Sequence, residues 1–426
     1  MLFSRILAHG SCKIYKISNN KNEYKRLKRT LSKENKLSDL DEALVNDTLI
    51  GEALKKLSEH KEVYILHDPS DIRKPHSSKT ENIGKVRDLN NQIINGYSSH
   101  NIVAVTPKEK TVHLLSHHLY SNKDPRFLKA EYVKKIEEDK KFAEKEAAVT
   151  LYESQDWFNK KTLTKNAIKQ VNKAFKESDS ELKITHVFDR EFDDDEYFSL
   201  ISELGDDFVI RAKKTRTDVI QNDIEEEKKE KLITSLFEHT HIIPIQKIRL
   251  KKSIYQDVKL YIEWKNYQCY TAIKITLKDR DDKEIFTDPM LLITNKKIKI
   301  AEEAHLVYQI YLKRSRIECV FKFLKEGLGW EDMQLQDFQA IQNLLSICFF
   351  IAAYLYEIRE QEVQDDYVVL LAKLGGGKGI VSRHYILEGI HMMMAKLRVD
   401  RILEEEKASE ENIRKMLSMA GCLDLD

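Results

Sequence analysis

Apolar and polar positions alternate with two different periods along the chain. Continuous apolar runs, typical of buried strands, occur at VYILHD (63–68), ELKITHVFDRE (181–191), DFVIRAKK (207–214) and MLLIT (290–294). The runs NIVAVTP (101–107) and TVHLLSHHLYS (111–121) predict a hairpin. Period-two alternation within residues 213–289, after a charged connector, IEEEKKEK, predicts half-exposed antiparallel strands: IQKIRLKK, VKLYIEW and TAIKITLK.

Helix-like segments surround these strands. Residues 1–60 are polar and mostly helical in pattern, and residues 125–177 are rich in Lys, Glu and Ala without Gly. The segment DDDEYFSLISEL predicts a short helix with an acidic start, which the helix dipole favours. A long helix is predicted over 301–326, followed by a buried helix around LLSICFFIAAYL (344–355) and a helical tail.

The order of these elements predicts an α/β fold with a ribonuclease H-like catalytic core. We expect a β-rich insertion before the helix that carries Glu318, and helical N- and C-terminal segments. The predicted divisions are a helical N-terminal segment, a first core part, the insertion, a second core part and a helical C-terminal tail: 1–60, 61–212, 213–289, 290–365 and 366–426.

Composition narrows the class of protein. The 426 residues include 71 basic and 70 acidic side chains, so a nucleic-acid surface requires local segregation of charge. No apolar run reaches the roughly 20 residues of a membrane-spanning helix, and no secretion signal is evident, so we expect a cytoplasmic protein without membrane contact. The five cysteines lack the spacing of a zinc site or a disulfide framework, and LGGGKG (374–379) lacks the phosphate-loop pattern.

Three carboxylates are candidates for the chemistry. Asp68 ends the run VYILHD, Asp189 ends ITHVFD, and Glu318 lies within the predicted 301–326 helix. In a ribonuclease H-like core, carboxylates from two neighbouring strands and one helix converge. Hard oxygen donors of this kind suit Mg²⁺, with Mn²⁺ able to substitute, and shared carboxylates suit a two-metal phosphoryl transfer. Asp71 is a minor rival of Asp68.

The predicted 301–326 helix carries charge beside its apolar face. At about 100° per residue, Arg314, Glu318 and Lys325 share a stripe roughly 60° wide with Tyr311, next to the face of Ile317 and its neighbours. A charge there is poorly solvated unless it meets a metal ion or a phosphate. An exposed face with an i, i+4 pair between Arg314 and Glu318 is the equally open alternative.

These residues carry a family resemblance. Tyr311, Arg314, Glu318 and Lys325 match the spacing Tyr-x2-Arg-x3-Glu-x6-Lys, which resembles the signature of DDE transposases of the insertion-sequence-four family. HDPSDIRKP around Asp68 and FDREFDDD around Asp189 resemble the motifs of the first and second Asp. Pro and Ser follow the first Asp where that family often has a Thr shortly after it, and the segment before the core is short.

The resemblance implies a cut-and-paste endonuclease acting on the inverted terminal repeats of an insertion sequence in bacterial nucleoid DNA. One strand is nicked, the freed 3′-OH forms a hairpin, and after opening it joins target DNA. Asp68, Asp189 and Glu318 are then the metal ligands, and Tyr311 contacts the DNA at the hairpin position. Residues 1–60 are then the candidate for DNA-end recognition, and residues 366–426 are the candidate for dimerisation. Those assigned to DNA phosphates are Arg314 and Lys325, and Arg190 supports the site. The partners implied are double-stranded transposon ends and target DNA, bound by a homodimer.

Two alternatives stay open: a nuclease of the same fold, and an inactive DNA-binding derivative of a transposase. Within the insertion, Lys247, Arg249 and Lys251 alternate with apolar residues and put three cations on one strand face, where they contact either DNA or solvent. Trp264 is a candidate for stacking on an extruded base, with a core position as the alternative. We assign His67, His117 and His118 to packing or surface roles.

Overall fold

The computed structural model describes residues 2–32, 41–108, 111–121, 150–178, 182–220, 229–232, 237–250, 253–360 and 366–405. The chain forms two compact units. The larger unit is Asp39–Phe321, and the smaller one combines Met1–Ser38 with Lys322–Asp426. The predicted domain boundaries stay predictions.

All strands of the described residues lie in the larger unit. In chain order, β1 to β12 are Glu62–Arg73, Gly84–Arg87, Ile93–Val105, His113–Tyr120, Lys183–Phe188, Asp207–Arg211, Thr217–Ile220, Lys229–Leu232, His239–Leu250, Ser253–Tyr267, Tyr270–Lys278 and Met290–Thr294. The apolar runs predicted as strands are therefore strands. One interpretation was wrong, because the end of the segment read as a charged connector forms β8, which pairs with β7 in a two-stranded sheet. The residues before β8 lie outside the described part.

The helices occur in both units. In chain order, α1 to α10 are Leu2–His9, Lys21–Leu31, Glu42–Leu57, Thr150–Glu177, Asp195–Glu203, Ala301–Leu312, Ser315–Lys322, Phe338–Glu360, Asp366–Leu374 and Arg383–Glu405. The predicted long helix over 301–326 is not continuous. It consists of α6, α7 and a π-helical turn, Phe323–Gly327. Of the predicted 125–177 helix, residues 125–149 lie outside the described part, and α4 covers the rest.

Ten of the strands form one mixed sheet in the order β2-β3-β1-β5-β6-β12-β11-β10-β9, with β4 on β3. β1 pairs parallel with β5, and β5 pairs parallel with β6. This mixed α/β architecture agrees with the predicted class and is compatible with a ribonuclease H-like core. The strands predicted as an insertion continue the same sheet, because β12 pairs antiparallel with β6.

Helices cover the parallel part of the sheet. One face packs Ile65 of β1 and Ile102 of β3 against Ile50 of α3 and Val171 of α4. Further along that face, Phe188 of β5 packs with Ile168 of α4 and with aromatic residues of α5 and β6. Because β1 and β5 are buried on both faces, they read as continuous apolar runs in the sequence.

The described residues of the smaller unit form helices joined by turns and loops, with no strand among them. Asn343 of α8 donates a 2.8 Å hydrogen bond to the carbonyl oxygen of Leu31 at the end of α2. Within the described residues, α8 alone is long and apolar enough to cross a membrane, but 72% of its apolar window is buried, so this is weak evidence for a span. The segment 374–379 forms a turn between α9 and α10, with Gly376 at φ 87°.

Candidate functional site

Asp68 lies where the pairing between β1 and β5 has ended. The parallel ladder runs from Glu62–Lys183 to Leu66–Val187, and β1 continues beyond it only along β3. Pro69 follows directly and has no backbone N–H to donate to a neighbouring strand. The carboxylate of Asp68 therefore stands at the edge of a buried sheet, with 14% of its side chain exposed.

Asp189 follows β5 directly. Its Oδ1 accepts a 2.7 Å hydrogen bond from the backbone N–H of Arg190, which begins a short 3₁₀ turn. This cap holds the carboxylate at the carboxyl end of the strand. Because β1 and β5 are parallel neighbours, Asp68 and Asp189 come to the same edge of the sheet, as the sequence predicts. The side chain of Asp189 is 33% exposed.

The chain turns tightly between α6 and α7. Arg314 donates its backbone N–H to Tyr311 at 3.0 Å, and Ile317 donates to Arg314 at 3.1 Å, so the bonds span three residues instead of four. The Ser315 hydroxyl also donates to the Leu312 carbonyl oxygen at 3.0 Å, a local bond that competes with regular helix. A single helical wheel therefore does not describe the predicted stripe.

The turn between α6 and α7 is also stabilised by a contact with the sheet. Lys313 Nζ donates to the carbonyl oxygens of Thr106 at 3.2 Å and Pro107 at 2.6 Å, just after β3. Burial lowers the pKa of Lys313, with Arg316 adding to that effect. The lysine thus fastens the turn to the sheet, on the residue before Arg314.

Arg314 lies between all three predicted catalytic carboxylates. Its Nη1 is 3.0 Å from Asp68 Oδ2, and its Nη2 is 3.8 Å from Asp189 Oδ2 and 2.9 Å from Glu318 Oε1. The predicted i, i+4 pair between Arg314 and Glu318 therefore forms, and it does so as part of a larger cluster. Arg314 is 14% exposed and Glu318 is 57% exposed, so the cluster opens to solvent on the side of Glu318.

Burial dominates the electrostatics of Asp68. It raises the pKa of Asp68 to about 7, against the lowering effect of Arg314 and with smaller raising effects from Asp189 and Glu318. One guanidinium does not neutralise three carboxylates. A carboxyl with a raised pKa at the edge of a sheet, next to two further carboxylates, is a typical feature of a functional site.

Two further side chains hold Asp189. The hydroxyl of Tyr311 donates to Asp189 Oδ1 at 3.2 Å, and Arg211 Nη1 lies 4.0 Å from the same atom. Tyr311 is buried, and burial followed by the charge of Asp189 raises its pKa to about 12, so it stays protonated and donates. The structure thus places Tyr311 on a metal-ligand candidate, while its predicted DNA contact stays a prediction.

Arg211 was missed in the sequence. It is the last residue of β6, and Phe188 of β5 pairs with Ile210 of β6, so Arg211 lies beside Asp189 across two parallel strands. The sequence does contain a sign of it, because Arg211 follows the apolar run DFVI directly. The carboxyl ends of parallel strands meet at one edge of a sheet, so a charged residue there is a candidate for the site. Arg211 adds a fifth charged side chain to this cluster, and it comes from a third strand of the sheet.

The donor set fits a hard divalent cation. Asp68, Asp189 and Glu318 offer carboxylate oxygens alone, as Mg²⁺ and Mn²⁺ prefer. Within the described residues, no three His, Cys, Asp or Glu side chains stand close enough together to hold a metal ion as they are placed. The three carboxylates surround the guanidinium of Arg314. A metal ion would therefore compete with Arg314 for the same carboxylate oxygens.

Two further residues of the motifs are described. Arg190 is exposed directly after Asp189. Lys325 belongs to the smaller unit, where its Nζ lies 3.6 Å from Glu331 Oε1. Their predicted roles stay predictions.

The insertion residues are partly described. Lys247 is exposed on β9, opposite Gln256 of β10. The side chain of Arg249 and the whole of Lys251 lie outside the described residues. Trp264 is 7% exposed and stacks on His239 with 5.1 Å between ring centroids. Its indole is therefore covered, as the core alternative expects.

The comparisons agree with this geometry. Residues 153–355, slightly less than half of the chain, match the family model of the transposase DDE domain. The match includes Asp189, Arg314 and Glu318, and it begins after Asp68. It supports a DDE transposase, hence DNA binding and phosphoryl transfer on DNA with the divalent metal ions that such domains generally use. The chain matches no curated protein.

Proposed function

We propose that the protein is a metal-dependent DNA transposase of the insertion-sequence-four type that cuts and rejoins DNA at inverted terminal repeats. One observation carries the proposal. Arg314 contacts Asp68, Asp189 and Glu318 at once, so two strand ends and a helix bring three carboxylates within reach of a single side chain. Sites that bind two divalent metal ions for phosphoryl transfer need several carboxylates close together.

Asp68, Asp189 and Glu318 are the residues that would hold the metal ions. Bound Mg²⁺ or Mn²⁺ supplies charge that stabilises the attacking and leaving oxygens of an in-line displacement at phosphorus. The protein supplies the positions: Tyr311 and Arg211 hold Asp189, and the edge of β1 holds Asp68.

Arg314 has a second role in this proposal. With metal ions held by the carboxylates, the guanidinium would be without its ion partners and available to a DNA phosphate, which arginine binds with two parallel hydrogen bonds. Lys325 and Lys247 are further phosphate-binding candidates, with Arg190 at the rim of the site.

The assembly follows from the reaction. Cutting two ends and joining both to target DNA requires the two ends in one complex, so we propose a homodimer on paired DNA ends, acting in the cytoplasm on nucleoid DNA. The N-terminal segment is the candidate for end recognition, and the C-terminal tail is the candidate for dimerisation.

The test is Mg²⁺-dependent cleavage of DNA that carries the ends flanking the gene, with the wild-type protein and Glu318→Gln. We expect breaks at the element ends, reduced more than about 100-fold in Glu318→Gln, because even outer partners of metal ligands are worth 10- to 100-fold. Glu326→Gln is the matched control, since Glu326 is exposed and pairs with Lys322 at 3.7 Å.

Each other outcome contradicts part of the proposal. Cleavage that persists in Glu318→Gln removes Glu318 from the site. Cleavage without joining to target DNA indicates a nuclease of the same fold. Binding without breaks by the wild-type protein indicates a DNA-binding derivative that no longer catalyses.

A further inference from the structure

A chain of buried imidazoles lies next to the two catalytic strands. His67 Nδ1 is 3.2 Å from His100 Nε2, and His67 Nε2 is 2.8 Å from His186 Nδ1. His186 Nε2 is 3.1 Å from Asp206 Oδ2, which also accepts a 2.7 Å hydrogen bond from Asn172. All five side chains are buried. The chain thus connects β3, β1 and β5 to the residue before β6 and to α4.

The carboxylate sets the direction of the hydrogen bonds. Asp206 accepts, so His186 carries its proton on Nε2 and leaves Nδ1 to accept from His67. His67 is then also protonated on Nε2, and its Nδ1 accepts from Nε2 of His100. Because His67 then donates from one ring nitrogen and accepts at the other, its ring is neutral. These tautomers are inferred from the hydrogen-bond network. In each bond between the rings, the donating N–H belongs to the ring farther from Asp206.

This geometry is that of a hydrogen-bonded chain and not of a metal site. His67 uses its two ring nitrogens toward two different imidazoles, so the rings do not share a common centre. Burying polar rings is costly unless each is bonded, and an apolar side chain of similar size fills the same space without that cost. A reason for keeping the polar rings is therefore needed.

The position of the chain supplies that reason. The backbone ladder between β1 and β5 ends at Leu66–Val187, before the residues Asp68 and Asp189. The bond from His67 to His186 connects the same two strands from side chain to side chain, and His67 also stacks on Phe188 with 4.2 Å between centroids. His67 precedes Asp68 by one residue, and Phe188 precedes Asp189 by one residue.

We propose that His67, His186 and Asp206 are positioning residues that hold the ends of β1 and β5 at the separation at which Asp68 and Asp189 bind one divalent cation. The inference rests on the proposed function. Two carboxylates at one edge repel each other, and Arg314 balances that repulsion only while it stays between them. The hydrogen bond from His67 to His186 keeps the two strand ends together when Arg314 binds DNA instead of the carboxylates.

The test measures metal binding and tautomers, without DNA. The full-length protein, labelled with ¹⁵N in its histidine rings, is titrated with Mn²⁺ and followed by electron paramagnetic resonance and by NMR. We expect His186→Phe, which keeps a ring but removes both bonds, to weaken Mn²⁺ binding about tenfold, as loss of an outer partner of a metal ligand does. Asp206→Asn keeps an acceptor without its charge, so a smaller loss is expected.

Two control variants define what is measured. Asp68→Asn identifies the Mn²⁺ signal that belongs to the carboxylate site. Ile50→Val in α3 removes a buried methyl group from the same face of the sheet without touching the imidazoles, so it lowers stability and leaves Mn²⁺ affinity unchanged.

The outcomes separate the two proposals. A wild-type protein that binds no Mn²⁺ through Asp68 refutes the proposed function. A wild-type protein that binds Mn²⁺, with His186→Phe binding it equally well, refutes the positioning role alone. NMR that finds the proton of His186 on Nδ1 also refutes it. If His186→Phe does not fold, Asp206→Asn with wild-type affinity and unchanged imidazole shifts gives the same refutation.

Discussion

Replacing Asp68 with Asn should change how the stability of the protein depends on pH. Asp68 has a pKa of about 7 in the folded protein, against an ordinary value of 3.8, chiefly because it is buried. At about 1.4 kcal/mol for each pH unit, the difference corresponds to about 4 kcal/mol. Only 14% of the side chain is exposed, so solvent screens little of this.

The sign follows from the proton. Because the pKa is raised in the folded state, the protonated carboxyl contributes stability below pH ~4, where the unfolded chain is protonated as well. That contribution is lost as pH rises toward about 7, because the unfolded chain releases its proton first. Asn carries no charge at any pH. Asp68→Asn should therefore equal the wild type near pH 4 and exceed it by about 4 kcal/mol near pH 8.

Urea unfolding at a series of pH values, with a chelator present, measures this difference. Asp71→Asn is the matched control, since it removes the same charge three residues along β1, where Asp71 accepts a 3.0 Å hydrogen bond from Ser98. A difference between wild type and Asp68→Asn that stays constant with pH would refute the reasoning. Mg²⁺ added at pH 8 should stabilise the wild type, by about 2.7 kcal/mol at 100 times its Kd, and not Asp68→Asn.

Two further predictions concern the Tyr-Arg-Glu-Lys motif. Tyr311→Phe removes the bond to Asp189 and keeps the ring, so we expect about 1 kcal/mol less stability in urea and weaker Mn²⁺ binding; unchanged values for both would contradict the role of the hydroxyl. Lys325→Ala should reduce the slope of log affinity for DNA against log salt by about one, whereas Lys322→Ala, an exposed neighbour, serves as control; an unchanged slope means that Lys325 contacts no phosphate.

The strands that carry the site could be predicted because their environment is uniform. β1 and β5 are buried on both faces, so each reads as an apolar run, and an Asp at the end of such a run stands out. Arg211 could have been found by the same rule, applied to the third parallel strand. The local pattern contains this information without any contact from distant residues.

The turn before Arg314 could not be predicted in the same way. It depends on the hydrogen bond from the Ser315 hydroxyl to the Leu312 carbonyl oxygen. It also depends on the bonds from Lys313 to carbonyl oxygens just after β3, about 200 residues earlier in the chain. The imidazole chain was missed for a related reason. His67 was assigned to packing, and nothing near it in the sequence indicates that His186 and Asp206 complete a network.

The order of the sheet has a consequence for synthesis of the protein. β1 can pair with β3 soon after both leave the ribosome, but its other neighbour, β5, is made more than a hundred residues later, and β6 waits for β12. Such distant pairings form slowly. Arg314 and Glu318 come later still in the 426-residue chain. A nascent or prematurely terminated chain that ends before Arg314 holds Asp68 and Asp189 without the guanidinium between them and without the third carboxylate, so the proposed site is incomplete until almost three quarters of the chain has been made.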